Sequence, residues 1–327
     1  MTESILVAGG AGYIGSHVCK ALATSGYQPV VLDNLSTGYR QFVKWGPLVE
    51  ADVSDTETVG GIVKKYQIRA VIDLAGTIDV SESVTNPLKY YESNFACKIH
   101  FVRALKESGV RAFVFSSTAA VYGEPTVVPI PETHLTAPTS PYGSSKLFFE
   151  SLLRDYHAAV GFPWMALRYF NAAGASADGE IGENHDPETH LIPRACLAAL
   201  GYGPPLAIFG TDYPTFDGTA IRDYIHVMDL AAAHVLAIRA LLDGAAPAIC
   251  NLGNGRGTSV REIVTAFEHL QIPVPHEVRP RRVGDPARLV ADPSSAQKIL
   301  GWKPEYIDIE TIIRSAYAWH KAKAGCS

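Results

Sequence analysis

Short apolar runs alternate with helix-patterned segments through the first half of the chain, and that alternation leaves few folds open. The runs are "SILVAGG", "PVVLDN", "LVEAD", "AVIDLAG" and "AFVFSS", and between the first two Ile14, Val18 and Leu22 share one helical face. Strands buried on both sides read as unbroken apolar runs, and strands joined through helices lie parallel in one sheet. An α/β fold with a doubly wound parallel sheet is therefore expected. A long helix is expected from Pro87 to Ser108: Asn86 can cap it, Pro87 suits its first position, Gly109 ends it, and Leu88, Tyr91, Phe95, Ile99, Val102 and Leu105 keep the helical period. Beyond "RYFN" (Arg168 to Asn171) the texture changes to "AAGASADGEIGENHDPETH", and loops of that length usually serve a site. Shorter elements follow: a helix near Leu191 to Leu200, "PLAIFG", "AIRDYIHV", a helix over Met228 to Leu242, "ICNLG" and two or three more helices.

The turn after the first run carries the first chemistry. "VAGGAGYIGSH" sets Gly9, Gly12 and Gly15 three apart, directly after a strand and opening a helix. Glycines there let the backbone turn sharply and approach a pyrophosphate, whose charge faces the free N–H groups of the helix end. Asp33 closes the second run, where a carboxylate accepts from an adenosine ribose diol and repels a 2′-phosphate, so NAD is expected over NADP. "DLAGT" ends the fourth run with small residues that let a cofactor lie against the sheet edge. The sheet is thus expected to be of Rossmann type, in a cofactor domain over residues 1–171 with a returning segment about 222–253. The remainder of 172–327 is expected to form a smaller C-terminal α/β substrate domain.

A net charge of −5 speaks against nucleic-acid partners and means that an anionic ligand must be held by local donors. No apolar run approaches the roughly 20 residues of a membrane span, and "MTESILVAGG" lacks a basic n-region, so neither membrane insertion nor a secretory signal is expected. Five cysteines (Cys19, Cys97, Cys196, Cys250 and Cys326) form no CxxC and suit a reducing cytoplasm.

"SPYGSSKLFFE" places Tyr142 and Lys146 on one helical face, with Ser140 as cap and Pro141 in the first turn. The same spacing recurs at Tyr317 and Lys321, in a terminal amphipathic helix that follows no strand, and is assigned there to surface and packing. The first pair follows "FSSTAAVYG", whose Ser116, Ser117 and Thr118 bring hydroxyls to the rim where such sheets bind ligands. A phenol titrates near ~10, so service as a base near pH 7 requires about ~4 kcal/mol. One cation at about 4 Å, at an effective dielectric near 20, supplies ~4 kcal/mol before desolvation is subtracted. Lys146 alone is marginal, and an oxidised nicotinamide would add the rest. The chemistry implied is removal of a proton from a substrate hydroxyl while its carbon gives hydride to NAD.

GGAGYIG, FSSTAAVYGEP, SPYGSSK, LRYFNAAGA, LAIFGTDYPTFDGTAIRDYIHVMDL and ICNLGNG together resemble the extended short-chain dehydrogenase/reductase family, most closely its nucleotide-sugar 4-epimerases, from Ile5 to about Trp302. The resemblance implies transient oxidation at C4 of a UDP-hexose, rotation of the keto-sugar and return of the hydride, which interconverts UDP-galactose and UDP-glucose. It implies Tyr142 as base, Lys146 as holder of the nicotinamide ribose that also lowers the tyrosine pKa, and Thr118 as hydroxyl partner. Implied NAD contacts, besides Tyr142 and Lys146, are Gly9, Gly12, Tyr13, Ile14, Gly15, Asp33, Asn34, Asp52, Val53, Leu74, Ala75, Gly76, Asn94 and Tyr169. Implied nucleotide-sugar contacts, besides Thr118 and Tyr142, are Asn171, His190, Leu191, Ala207, Phe209, Arg222, Arg282, Asp285 and Leu289, with Arg222 and Arg282 suited to fork a pyrophosphate. A homodimer through the Pro87 to Ser108 and Ser140 to Val160 helices is also implied, and Phe148, Phe149, Leu152 and Leu153 fit either that interface or two-sided burial.

The chain departs from the family pattern at Ile78, where relatives carry a lysine, and at His190, where they carry an asparagine. At Leu289 a tyrosine restricts some relatives to plain hexoses, so UDP-N-acetylhexosamines and UDP-pentoses stay open as substrates. Ala119 and Ala120 occupy the places where a dehydratase needs an acid and a base, and a decarboxylating relative a glutamate. A non-catalytic NAD-sensing protein would not need Thr118, Tyr142 and Lys146 together. Glu183, His185, Asp186, Glu188 and His190 crowd one loop, but neither HExxH nor a tetrahedral ligand spacing appears, so no metal is expected and the loop is expected to cover the sugar nucleotide.

Overall fold

Strands β1 (Ser4–Ala8), β2 (Gln28–Asp33), β3 (Leu48–Glu50), β4 (Ile68–Asp73), β5 (Ala112–Thr118) and β6 (Trp164–Tyr169) lie in one parallel sheet with a late strand, Ala248–Leu252, at its edge. A computed structural model describes residues 3–282 and 284–325 of the chain; Cys326 lies outside them. The spatial order is Ala248–Leu252, β6, β5, β4, β1, β2, β3, so the winding order reverses between β1 and β4, and the carboxyl ends there open a crevice. Alternate residues of β1 feed two separate cores, which is why the strand reads as continuously apolar. Ile5 and Val7 pack with Val18 and Leu22 of helix α1 (Tyr13–Thr24), whereas Leu6 and Ala8 pack with Val59, Ile62 and Leu105 on the other face.

The return to this layer begins at the Val227–Leu242 helix, which packs beside α1, and ends with the Ala248–Leu252 strand. The preceding strand, Ile221–His226, belongs instead to a smaller sheet with Asn171–Ala173, Gly257–Ser259 and Arg288–Leu289. Leu206–Phe209 pairs in parallel with His276–Arg279. The Leu191–Ala199, Val260–His269 and Ile309–Gly325 helices close a third apolar core around Ile208, Phe267 and Ile312.

The expected 87–108 helix is one path with an interruption: Pro87–Tyr91, a π-helical turn over Glu92–Ala96, then Cys97–Glu107. Asn86 stands at the N-cap, but its side chain makes no capping bond. The face turned inward is only partly the apolar one: Val102 and Leu105 are buried as the period predicts, but polar residues are buried with them. Tyr90, Asn94, Lys98, Phe101 and Leu105 are buried, whereas Leu88 is 70% exposed. The polar residues can turn inward because the sheet edge offers them partners.

Candidate active site

The glycine loop is shaped by close backbone contact. Gly9 has φ +78, and a Cβ there would lie 2.7 Å from the Ala75 nitrogen; a Cβ at Gly15 would lie 2.1 Å from the Gly9 carbonyl oxygen. Gly12 is the N-cap of α1 and makes no side-chain cap, so the first-turn N–H groups stay outside the helix's own bonding. Asp33 ends β2 beside this loop, accepting from the Ala11 N–H at 2.9 Å and the Leu35 N–H at 2.8 Å. Burial nevertheless raises its carboxyl pKa, with those two bonds working the other way. Asn34 donates to Asp52 at 2.8 Å, and Val53, next in the chain, is buried, so these expected NAD contacts lie together with Asp33 at the end of β2. The Tyr13 hydroxyl is committed to the Gly174 carbonyl at 2.7 Å, while Ile14 packs partly into the first core.

Leu74, Ala75 and Gly76 follow β4, held from below by two residues of the π-interrupted helix. Asn94 accepts from the Thr77 N–H and donates to the Thr77 carbonyl, each at 3.0 Å, and reaches Ser145. Lys98 donates to Asp73 at 2.7 Å and to the Ala75 carbonyl at 2.6 Å, with both side chains 0% exposed. Ile78 is largely exposed on the same loop.

At the end of β5 the three hydroxyl residues separate by strand alternation. Ser117 points inward and donates to Glu150, which also takes the Arg168 fork. The Ser116 carbonyl accepts from Lys146 Nζ at 3.0 Å. Thr118 accepts from the Ala120 N–H at 3.1 Å, which leaves its own hydroxyl hydrogen to donate. Ser140 caps the Pro141–Val160 helix through the Gly143 N–H, as expected, and Tyr142 stands in its first turn with its ring edge-on to Tyr90 at 6.4 Å. Tyr317 and Lys321 lie on the last helix, where Tyr317 packs against the third core and Lys321 is exposed.

The electrostatics differ from the expectation in one respect. Burial raises the Tyr142 pKa, opposed only by its bond with the Thr118 hydroxyl. Lys146 lies with its nitrogen 6.0 Å from the Tyr142 ring centre, and burial, aided by the Lys98 cation, lowers its own pKa to about 7. In the protein alone burial is therefore the dominant influence on the tyrosine, and it acts against the phenolate. Tyr169, at the end of β6, gives its hydroxyl to His234. His234 Nδ1–H donates to the Leu230 carbonyl, and burial lowers that ring's pKa to about 4, so its Nε2 is the acceptor.

Among the expected sugar-nucleotide contacts, Asn171 donates to the Asp223 carbonyl at 3.2 Å, and Arg222 is paired with Asp285, which Tyr213 also approaches. The Arg282 guanidinium lies 4.0 Å from the Phe209 ring centre. Ala207 is buried in the Leu206–Phe209 strand. Leu289 packs with Ala119, Tyr122 and Phe170, close to the end of β5. Leu191 opens the Leu191–Ala199 helix, but His190 turns Nδ1 away to Glu183 at 2.6 Å, so only the outer edge of its ring is open to a ligand.

Sequence reasoning missed Lys98, the Glu150–Arg168 pair and Asp223. Lys98 lies four residues after Asn94, so the helical period could have placed both on one face; nothing local marks Asp223. Its buried carboxylate accepts from the N–H groups of Asn254, Gly255 and Ala291 and so ties three late segments together.

A family model described as the NAD dependent epimerase/dehydratase family matches residues 5–253. A UDP-glucose 4-epimerase of Rhizobium leguminosarum bv. trifolii is 49% identical over 319 residues, 97% of each chain. The structure of UDP-glucose 4-epimerase from Brucella ovis in complex with NAD superposes with a TM-score of 0.95 at 49% identity, covering 97% of this chain and 98% of that one. UDP-glucose-4-epimerase from Stenotrophomonas maltophila, with bound NAD and formylated UDP-arabinopyranose, gives a TM-score of 0.96 at 39% identity, covering 99% of this chain and 100% of that one.

Proposed function

Because this chain belongs to the NAD dependent epimerase/dehydratase family, we propose that it interconverts UDP-galactose and UDP-glucose by epimerisation at C4, with NAD retained through each turnover. The observation that carries the reading is the convergence of Thr118, Tyr142 and Lys146 at the end of β5, across the crevice from the glycine loop. Ala119 and Ala120 provide no carboxyl group for eliminating water, which favours epimerisation over dehydration.

The residues present fit NAD. The turn is held so tightly that a side chain at Gly9 would strike the Leu74–Ala75 backbone and one at Gly15 the Gly9 carbonyl, so only glycines let the loop take this shape. The first turn of α1 would meet the pyrophosphate, and Asp33, Asn34, Asp52 and Val53 the adenosine. Leu74, Ala75, Gly76, Asn94, Tyr169 and Lys146 would flank the nicotinamide end. NAD bound there would supply the hydride acceptor and donor for C4, and in its oxidised form a positive charge in addition to that of Lys146.

Tyr142 takes the proton from the C4 hydroxyl and later returns it to the same oxygen. Thr118, whose oxygen is already occupied by the Ala120 N–H, donates its hydrogen to that sugar oxygen and orients it. Arg222 and Arg282 meet the diphosphate. Phe209 and Ala207 line the nucleotide, with Asp285 holding Arg222 in place. Asn171, Leu191, Leu289 and the outer edge of His190 complete the pocket. We assign residues 1–171, with the helix and strand ending at Leu252, to the cofactor unit and the remainder to the nucleotide sugar.

Incubation with UDP-galactose should yield UDP-glucose with no net build-up of reduced nicotinamide. Stoichiometric NADH would refute an epimerase. UDP-pentose and UDP-N-acetylhexosamine belong in the same panel, since Leu289 packs beside the loop that carries Thr118.

The protein acts in the cytoplasm as a homodimer. No described helix is long and apolar enough to cross a membrane. Tyr91 stacks on Phe148 at 5.9 Å, and Phe148, 48% exposed, borders an open groove with Phe95, Leu152 and Tyr156 across two neighbouring helices. An exposed apolar strip of this kind is what a second copy would cover. Phe148→Glu is expected to convert a dimer to a monomer by light scattering at micromolar concentration; an unchanged mass would rule this face out.

A further inference from the structure

We propose that Glu183, His185, Glu188 and His190 together hold one zinc ion, which staples the 174–190 loop to the start of the Leu191–Ala199 helix. Linear spacing spoke against a metal here; the folded loop brings one ligand atom from each residue within 4.8 Å of the others. His190 Nδ1 is 2.6 Å from Glu183 Oε1 and 3.5 Å from Glu188 Oε1. His185 Nδ1 is 3.2 Å from Glu183 Oε1 and 3.8 Å from Glu188 Oε2. Donors around a tetrahedral zinc with bonds of ~2.1 Å stand about 3.4 Å apart. The observed separations bracket that value, so small side-chain rotations suffice.

A second observation points to a ligand at the same place. Glu183 Oε2, Glu188 Oε2 and His185 Nδ1 are all buried without a hydrogen-bond partner, and Glu183 as a whole is 2% exposed. His185 Nδ1 stands at ion-pair distance from Glu183 without forming a hydrogen bond to it. Buried carboxylate oxygens left unpaired are costly, and pairing His190 with Glu183 and His185 with Glu188 still leaves Glu183 Oε2 unsatisfied. A divalent cation among the four side chains would give these groups a partner, and its charge balances two carboxylates with both imidazoles neutral.

The donor set selects the ion. Two imidazole nitrogens and two carboxylate oxygens suit zinc, and four protein donors leave no open position, which makes the site structural and not catalytic. Glu188 is already aimed: its Oε1 accepts from the N–H groups of Thr189 and His190 at 2.8 and 2.9 Å. A cavity of about 200 Å³, lined by His185, Glu188, Tyr202 and His320 among others, gives the ion a way in. The Tyr13 ring meets His185 edge-on at 6.3 Å, so the ion would also steady the loop against the helix that follows the glycine turn.

The test is metal analysis of the full-length protein in chelator-treated buffer, then titration with zinc sulfate against a chromophoric chelator. One zinc per chain with Kd below about 1 µM is expected. His185→Ala/His190→Ala should hold none. Glu183→Gln, which keeps the side-chain volume, should bind at least ~10-fold more weakly, as loss of even a supporting residue does elsewhere. Circular dichroism and bound NAD report whether each variant is folded; if the double variant is not, Glu183→Gln and the wild-type titration decide. Wild-type protein that takes up no zinc in this range, or variants that retain it undiminished, would overturn the site.

Discussion

Replacing Tyr142 by phenylalanine is expected to lower kcat for UDP-galactose roughly 10²- to 10⁴-fold, the range that a positioned general base contributes. The change removes one oxygen and leaves the ring, so the edge-on contact with Tyr90 and the start of the Pro141–Val160 helix persist. Bound NAD and the KM for the sugar nucleotide should therefore change little, and the loss should appear in kcat. Undiminished turnover in the variant would remove Tyr142 as the base. The size of the effect also bears on activation. Burial disfavours the phenolate in the protein alone, and Lys146 is engaged at the Ser116 carbonyl, so further positive charge close to the ring would favour loss of the proton.

Lys98→Met is expected to destabilise the protein by about 3 to 5 kcal/mol, the usual result of stripping one partner from a buried ion pair. Asp73 and Lys98 are both fully buried, and methionine would leave the carboxylate facing the Phe115 and Phe149 rings that flank the ammonium. Urea titration measures the loss. The double variant Asp73→Leu/Lys98→Met should recover part of it, because the uncompensated charge goes too. Recovery is incomplete since the Ala75 N–H also bonds Asp73 and the Ala75 carbonyl also bonds Lys98. Both bonds shape the loop on which Gly9 rests, so the single variant should also retain less NAD. A Lys98→Met protein as stable as the wild type would show that the pair contributes nothing.

Much of the large sheet is legible in the chain because local pattern and tertiary role agree there. The strands are buried on both faces, so their residues are apolar whichever way they point, and Gly9 and Gly15 sit where sterics admit nothing larger. The same logic fails on the helix from Pro87. Its periodic apolar residues suggest the buried face, yet its start turns Leu88 outward and buries Asn94 and Lys98, which are polar but fully bonded. Periodicity records which side chains avoid water, and it cannot separate a core from a surface that another molecule covers. Ser117 shows the limit at single-residue scale. Its neighbours face the crevice, while pleating sends it to Glu150 and Arg168, a pair separated by 18 residues.

By itself the sequence determined the apolar strands of the parallel sheet, the glycine turn that opens the first helix, and the placing of Tyr142 and Lys146 on one helical turn, since each is read from residues close along the chain or from a helical period. Only the tertiary structure decided the charge around that tyrosine, the buried Lys98–Asp73 pair and the meeting of Glu183, His185, Glu188 and His190. Those depend on distances between atoms that chain closure brings together, and neither composition nor spacing along the backbone encodes the angle at which a side chain arrives.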